Sequence, residues 1–96
     1  MITQIDFKNE TLFVKGELGF VQVMNVYKQS VSYFNPSKQL TIDLSAVEHV
    51  DSSALTLICE WIRLSRKRQM SVQFVNTPAQ LLSVAQVCGV KEIFKL

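Results

Sequence analysis

The residues that could do chemistry lie close together, at the point where an apolar run gives way to a helical pattern. Asp43 and Asp51 supply two carboxylates, and His49 between them is the only histidine of the chain. Ser52 and Ser53 add two hydroxyl groups directly after the second carboxylate. This set offers three kinds of chemistry to weigh, which are proton transfer, nucleophilic attack and phosphorylation.

Catalysis finds little support among the neighbouring residues. His49 has no cysteine or serine relay, so we expect a solvated side chain, and the two aspartates lack a second functional set. The chain has no cluster of metal-ligand spacing, and with only three glycines it lacks the phosphate-binding and dinucleotide-binding patterns. We therefore predict a protein that is not an enzyme, without catalytic residues, metal or cofactor.

The size and charge of the chain indicate which class of protein it belongs to. A chain of 96 residues with 48% apolar and 19% charged residues is typical of one compact domain spanning 1–96. A net charge of +2 is too small to indicate a nucleic-acid partner. The start shows no signal peptide and no apolar run approaches the roughly 20 residues of a membrane span, so we expect no direct membrane insertion.

Two cysteines indicate the compartment. Cys59 and Cys88 lie far apart in apolar helical runs and form no metal-binding or redox pair. Buried, reduced thiols are the expectation, which suits a cytosolic protein.

The hydrophobic pattern predicts strands alternating with helices. A hairpin comes first, with a turn at Asn9 and Glu10, and a helix starting at Phe20 is expected to stop before Pro36. The predicted order is ββαβαβα with a closing segment, which implies a mixed, mostly parallel sheet. The predicted strands span 2–7, 12–18, 39–45 and 70–75, the helices span 20–35, 52–67 and 78–89, and the closing segment spans 90–94.

The second helix carries more apolar surface than one side needs. Its apolar residues cover an arc of roughly 220°, against the roughly 100° that suffices for a helix on a surface. Four residues are assigned to the sheet, and these are Leu55, Ile58, Cys59 and Ile62. A flank remains, made of Ala54, Leu57, Trp61 and Leu64. Either the neighbouring helix covers this flank, or it is a protein-docking face with Trp61 as anchor.

The serines and the basic end of this helix also leave alternatives open. Ser52 and Ser53 could be helix caps worth about 1 kcal/mol. Phosphorylation of either would instead place a charge of about −1.5 to −2 beside Asp51 and act mainly as an off-switch. A basic cluster ends the helix and consists of Arg63, Arg66, Lys67 and Arg68. It is either a solvated last turn or a contact for acidic lipid or protein.

Several segments together resemble the STAS domain family. They are residues 40–45 (Leu-Thr-Ile-Asp-Leu-Ser), 50–55 (Val-Asp-Ser-Ser-Ala-Leu), 74–78 (Phe-Val-Asn-Thr-Pro) and 87–90 (Val-Cys-Gly-Val), with the early 16–18 (Gly-Glu-Leu). The resemblance covers nearly the whole chain. It implies a single STAS-type α/β domain, with a four- to five-stranded mixed sheet and helices packed mainly on one face.

The family resemblance implies one of two functions. Anti-sigma factor antagonists are switched by a partner kinase that phosphorylates the second serine of the motif, here Ser53. The other branch is the small cytoplasmic STAS subunit of the Mla phospholipid-transport ABC system, in which the hydroxyl residue after the aspartate, here Ser52, is implicated. Residues 60–65, 78–81 and 83–87 resemble the transporter branch, and Ala54 replaces the glycine usual among antagonists.

The expectation is a non-enzymatic subunit that binds the ABC ATPase and, through it, the inner-membrane permease. It would be cytoplasmic, peripheral to the inner membrane, and would support outer-membrane lipid asymmetry. The alternative is an anti-sigma factor antagonist. Replacing Trp61 by alanine is expected to abolish ATPase binding while leaving the fold intact. The expected contact residues are Ser52, Ser53, Ala54, Leu57, Trp61 and Leu64, with Arg63 and Arg66 at the rim.

Overall fold

Residues 3–35 and 39–87 are described by the computed structural model. The predicted order ββαβαβα is confirmed over these residues. The elements are β1 (Gln4–Lys8), β2 (Thr11–Leu18), α1 (Phe20–Ser30), β3 (Gln39–Val50), α2 (Ser53–Lys67), β4 (Ser71–Val75) and α3 (Ala79–Val87), with a 3-10 turn at Val31–Tyr33. The predictions for the proline stop, Cys88, the Gly89 cap and the segment 90–94 lie outside the described residues.

The strands form the mixed sheet that the sequence predicts. In the described part of the chain, four strands lie in the order β1-β2-β3-β4. β1 and β2 are antiparallel, and β3 is parallel to both β2 and β4. The hairpin turns at Asn9 and Glu10, whose φ angles of 53° and 62° lie in the left-handed region that asparagine tolerates well.

One face of this sheet carries the core. Alternation along β2 turns Leu12, Val14 and Leu18 toward the helices, and Leu40 and Ile42 of β3 do the same. The opposite face is more polar, although Phe13 lies there with 37% of its surface exposed. This one-sided burial confirms that the helices pack mainly on one face.

The flank of α2 is covered, so the prediction of an exposed docking face anchored by Trp61 is wrong. α2 lies over the sheet between α1 and α3, and this position buries the flank together with the side that faces the sheet. The indole N–H of Trp61 donates to Ser30 Oγ of α1 at 2.7 Å, and its ring lies 6.2 Å from that of Phe74. Four predicted contact residues are thereby buried in the core, and they are Ala54, Leu57, Trp61 and Leu64.

Three further differences concern exposure and length. β3 runs to Val50 rather than to residue 45, because its parallel pairing with β2 continues as far as Leu18 opposite Val50. Cys59 is exposed instead of facing the sheet, since the α2 surface that it occupies points to solvent. In α1, Val26 is buried while Phe20 and Met24 are largely exposed, so the core uses only part of the apolar surface of this helix.

Candidate functional site

The site forms where two helices begin side by side. The pairing of Leu18 with Val50 brings the end of β2 next to the end of β3, and α1 and α2 start just beyond these residues. Asp51 lies between the two starts. Its Oδ1 accepts a hydrogen bond from the Ser53 N–H at 2.7 Å, and its Oδ2 accepts one from the Phe20 N–H at 3.1 Å. One carboxylate therefore serves the first turns of two helices.

Asp51, and not Ser52, caps α2. Ser52 has helical backbone angles (φ −62°, ψ −19°) and makes no capping hydrogen bond with its side chain. A capping residue normally has an extended backbone, which turns its side chain back toward the free N–H groups. The prediction of capping by the serines is therefore wrong for Ser52. Ser52 is exposed, and Ser53 is half-buried next to the Asp51 carboxylate.

The environment keeps Asp51 ionised. Partial burial is the largest influence and would raise the pKa of its carboxyl group. Hydrogen bonds from the Ser53 backbone, the Phe20 backbone and the Ser53 hydroxyl together outweigh it, so the pKa lies below the ordinary aspartate value. The negative charge also suits its position, because both helix starts are positive ends of helix dipoles.

Gly19 leaves room for this arrangement. A Cβ atom at Gly19 would lie 3.2 Å from Asp51 Oδ2 and 3.1 Å from Gln22 Oε1, closer than ordinary van der Waals contact. The Gly19 N–H also donates to Gln22 Oε1 at 3.0 Å, which closes the first turn of α1 from inside the helix. A side chain at this position would push against the carboxylate that the two helices share.

An apolar surface borders the junction. We call Phe20, Val21 and Met24 the α1 patch, and their exposed fractions are 80%, 82% and 64%. Beside the patch, a groove of about 320 Å³ runs between α1 and α2. It is lined by Val23, Met24, Tyr27, Thr56, Leu57 and Glu60. Exposed apolar side chains that adjoin one another in this way are typical of interaction surfaces.

Only part of the predicted contact surface lies at this site. Ser52 and Ser53 adjoin the α1 patch through Asp51, and Leu57 forms the floor of the groove. Arg63 pairs with Glu60 at 3.3 Å near the groove's end. Arg66 lies roughly 20 Å along α2 from Ser53 by helical rise, so it does not border the same junction.

Sequence reasoning missed the α1 patch. Residues 20–24 (Phe-Val-Gln-Val-Met) place apolar side chains at four of five successive positions. Because such a run spreads around a helix, one sheet cannot bury all of its members. This surplus of apolar side chains is a sequence signal for an exposed patch on α1.

The other chemically interesting residues do not join the site. Asp43 accepts hydrogen bonds from the Ser45 N–H at 2.8 Å and from Asn76 Nδ2 at 3.1 Å. Burial would raise its pKa, but these bonds outweigh burial and lower it. His49 lies in β3 opposite Glu17, with its side chain exposed.

The described ranges, 3–35 and 39–87, contain no group of three or more His, Cys, Asp or Glu side chains placed to hold a metal ion. None of their helices has the length and apolar character needed to cross a membrane.

Residues 1–96, the whole chain, match the family model described as "Mlab, STAS domain". The chain belongs to the MlaB-type STAS domain family. One relative is the intermembrane phospholipid transport system binding protein MlaB of Haemophilus influenzae. It is 29% identical over 89 residues, which cover 85% of this chain and 82% of the relative.

Solved structures share the STAS fold. A chain of the Acinetobacter MlaFEDB complex in its ATP-bound Vtrans2 conformation superimposes with a TM-score of 0.76 at 24% identity, over 96% of this chain and 95% of that one. The unphosphorylated anti-sigma factor antagonist SpoIIAA gives 0.69 at 16% identity, over 94% and 83% of the two chains. Both branches of the family therefore share this architecture.

Proposed function

We propose that the protein is the non-enzymatic STAS subunit of an ABC-type phospholipid transporter and binds the ATPase subunit. Family membership over the whole chain supports this proposal, and so does the phospholipid-transport name of the Haemophilus influenzae relative. Through the ATPase, the protein would lie at the cytoplasmic face of the inner membrane next to the permease. There it would support transporter assembly and activity, and thereby outer-membrane lipid asymmetry.

The α1 patch beside Ser52 is the observation that carries the binding role. Phe20 and Met24 expose most of their side chains, and fully burying such a side chain against a partner contributes about 1.5–3 kcal/mol. Ser52 lies exposed at the adjoining helix start, where a partner on the patch can reach its hydroxyl. The proposed contact therefore keeps Ser52 and Ser53 from the sequence prediction and replaces the buried Leu57 and Trp61 by the α1 patch.

Co-purification with the ATPase tests the proposal. The protein is co-expressed with a tagged ATPase and the permease, and the double variant Phe20→Ala/Met24→Ala is compared with the unmodified chain. Loss of co-purification is expected, because both substitutions remove apolar area that the ATPase would bury. The double variant should remain folded, since surface substitutions usually change stability by only about 0.5 kcal/mol.

Phe13→Ala is the matched control. It also removes an exposed aromatic ring, but from the opposite face of the sheet, among polar neighbours. Co-purification should survive this change. If the double variant still binds the ATPase, or if Phe13→Ala abolishes binding equally, the α1 patch is not the contact surface.

An anti-sigma factor antagonist is the second candidate. The half-buried Ser53 hydroxyl favours it, because this group lies beside the exposed α1 patch, where a phosphate would alter partner binding. Incubation with the partner kinase and ATP, followed by intact-mass measurement, separates the candidates. One added phosphate that is absent from Ser53→Ala would support the antagonist, and an unchanged mass would support the transporter subunit.

A further inference from the structure

We infer that Asp51 is a positioning residue that holds the α1 patch in place for the partner, and so links the Ser52–Ser53 turn to that patch. The inference rests on the proposed function only for the identity of the partner. The link itself is within the chain. It joins two segments 31 residues apart in sequence through one carboxylate.

α1 depends on Asp51 because its own sequence supplies no acidic residue at its start. Gly19, the residue before the helix, has no side chain to accept a hydrogen bond, and the first turn of α1 contains no Asp or Glu. The N–H of Phe20, the first residue of the helix, is among the groups that helix geometry leaves without an internal partner. Asp51 Oδ2 accepts that N–H from another part of the chain.

Packing does little to hold the start of α1. Phe20 is 80% exposed and Val21 is 82% exposed, so few protein atoms surround their side chains. Their position is therefore set mainly by the backbone of the first turn. Without the Asp51 carboxylate, the Phe20 N–H would bond to water and the first turn would fray more readily.

A fixed patch favours binding. A partner that binds a surface already held in its bound conformation avoids the entropy cost of ordering it. The two oxygens of Asp51 divide this work, since Oδ1 holds the start of α2 at Ser53 while Oδ2 holds α1. A change in the hydrogen bonding of Ser53 is thus passed directly to the first turn of the α1 patch.

An NMR titration tests the link without any partner. The amide protons of Phe20 and Ser53 should shift together with one midpoint below the ordinary aspartate pKa of about 3.9, because both donate to one carboxylate. Asp51→Asn should abolish this shared titration. The Ser45 amide, which donates to Asp43 instead, should keep its own titration in that variant. Separate midpoints for Phe20 and Ser53, or an unaltered Phe20 titration in Asp51→Asn, would overturn the inference.

A binding comparison with the purified ATPase tests the consequence. Asp51→Asn should weaken affinity about tenfold, the scale of one hydrogen bond to a charged group. Asp43→Asn is the matched control, because it alters an aspartate with similar backbone and side-chain bonds away from the patch, and it should leave affinity unchanged.

A double-variant comparison separates positioning from a purely structural effect. In a Phe20→Ala background, Asp51→Asn should weaken binding by much less than tenfold, since the side chain that it positions is already gone. The inference would be contradicted if the fold losses of affinity caused by Phe20→Ala and Asp51→Asn multiply in the double variant. Unchanged affinity in Asp51→Asn alone would also contradict it. Failure of the unmodified chain to bind the ATPase would overturn the proposed function instead, and the titration would then decide the role of Asp51 by itself.

Discussion

Replacing Trp61 by alanine should damage the fold. The indole is fully buried, donates a 2.7 Å hydrogen bond to Ser30 Oγ and lies against Phe74. Truncating a buried aromatic side chain of this size costs about 3–5 kcal/mol, because transfer free energy is lost and a cavity remains. Domains have unfolding free energies of only about 5–15 kcal/mol, so the change should remove a large share of the stability.

The assay is urea unfolding followed by far-ultraviolet circular dichroism, which reports mainly on the backbone and can be used in variants that lack the indole. The midpoint should fall while the slope with urea stays unchanged, as expected when stability changes and compactness does not. Trp61→Phe is an intermediate control. It keeps the aromatic ring but removes the N–H donor, while the Ser30 hydroxyl keeps its own bond to the Tyr27 carbonyl at 2.7 Å.

Two variants should behave in opposite ways. Met24→Ala should lose ATPase binding with an unfolding free energy within about 0.5 kcal/mol of the unmodified chain. Trp61→Ala should lower the unfolding free energy, and its binding to the ATPase should fall only in proportion to the fraction of molecules that are unfolded. The packing argument is refuted if the unfolding free energy of Trp61→Ala lies within about 1 kcal/mol of that of the unmodified chain and the variant still fails to bind. Trp61 would then contact the partner directly.

Three further outcomes follow from the junction and from α2. Because hydrogen bonds lower the folded-state pKa of Asp51, its stabilising contribution is present above the unfolded pKa of about 3.9 and is lost as pH falls through the lower folded value. The free energy of unfolding of Asp51→Asn should therefore fall less than that of the unmodified chain as the pH drops through this window. Equal falls in the two proteins, measured by urea unfolding at a series of pH values, would contradict this. Ser52→Ala should change the unfolding free energy by less than about 0.5 kcal/mol, whereas Asp51→Ala should cost about 1 kcal/mol or more, and equal costs in urea titrations would show that Ser52 also caps. One thiol, that of Cys59, should react rapidly with a thiol reagent in the native protein, and this rapid reaction should be absent from Cys59→Ala. A reaction that appears only after denaturant is added would mean that the thiol is buried.

The order of elements was predictable because periodicity is a local property. Alternation at 40, 42 and 44 and the three- and four-residue spacing after position 52 depend only on near neighbours in the chain. The end of β3 was not predictable in this way. Residues 46–50 remain in the strand because β2 offers a parallel partner, and a partner some thirty residues earlier leaves no local signal.

The site was predictable in place but not in detail. The serines after Asp51 marked the right junction, yet arc width alone could not tell which helix had a covered flank. Ser30 accepts the Trp61 indole N–H across 31 residues of sequence, and this bond helps to turn the flank of α2 inward. With the flank of α2 covered, the surplus apolar surface falls on α1 at Phe20 and Met24.

The burial of Trp61 makes the protein its own optical probe. It is the only tryptophan, so the intrinsic fluorescence excited in the indole band arises from a single position between α1 and α2. Emission should shift to longer wavelengths when the two helices separate, because water then reaches the ring. A partner that settles on the α1 patch leaves the indole enclosed. Unchanged emission on binding would thus indicate rigid docking, whereas a red shift would indicate that the partner opens the helix pair.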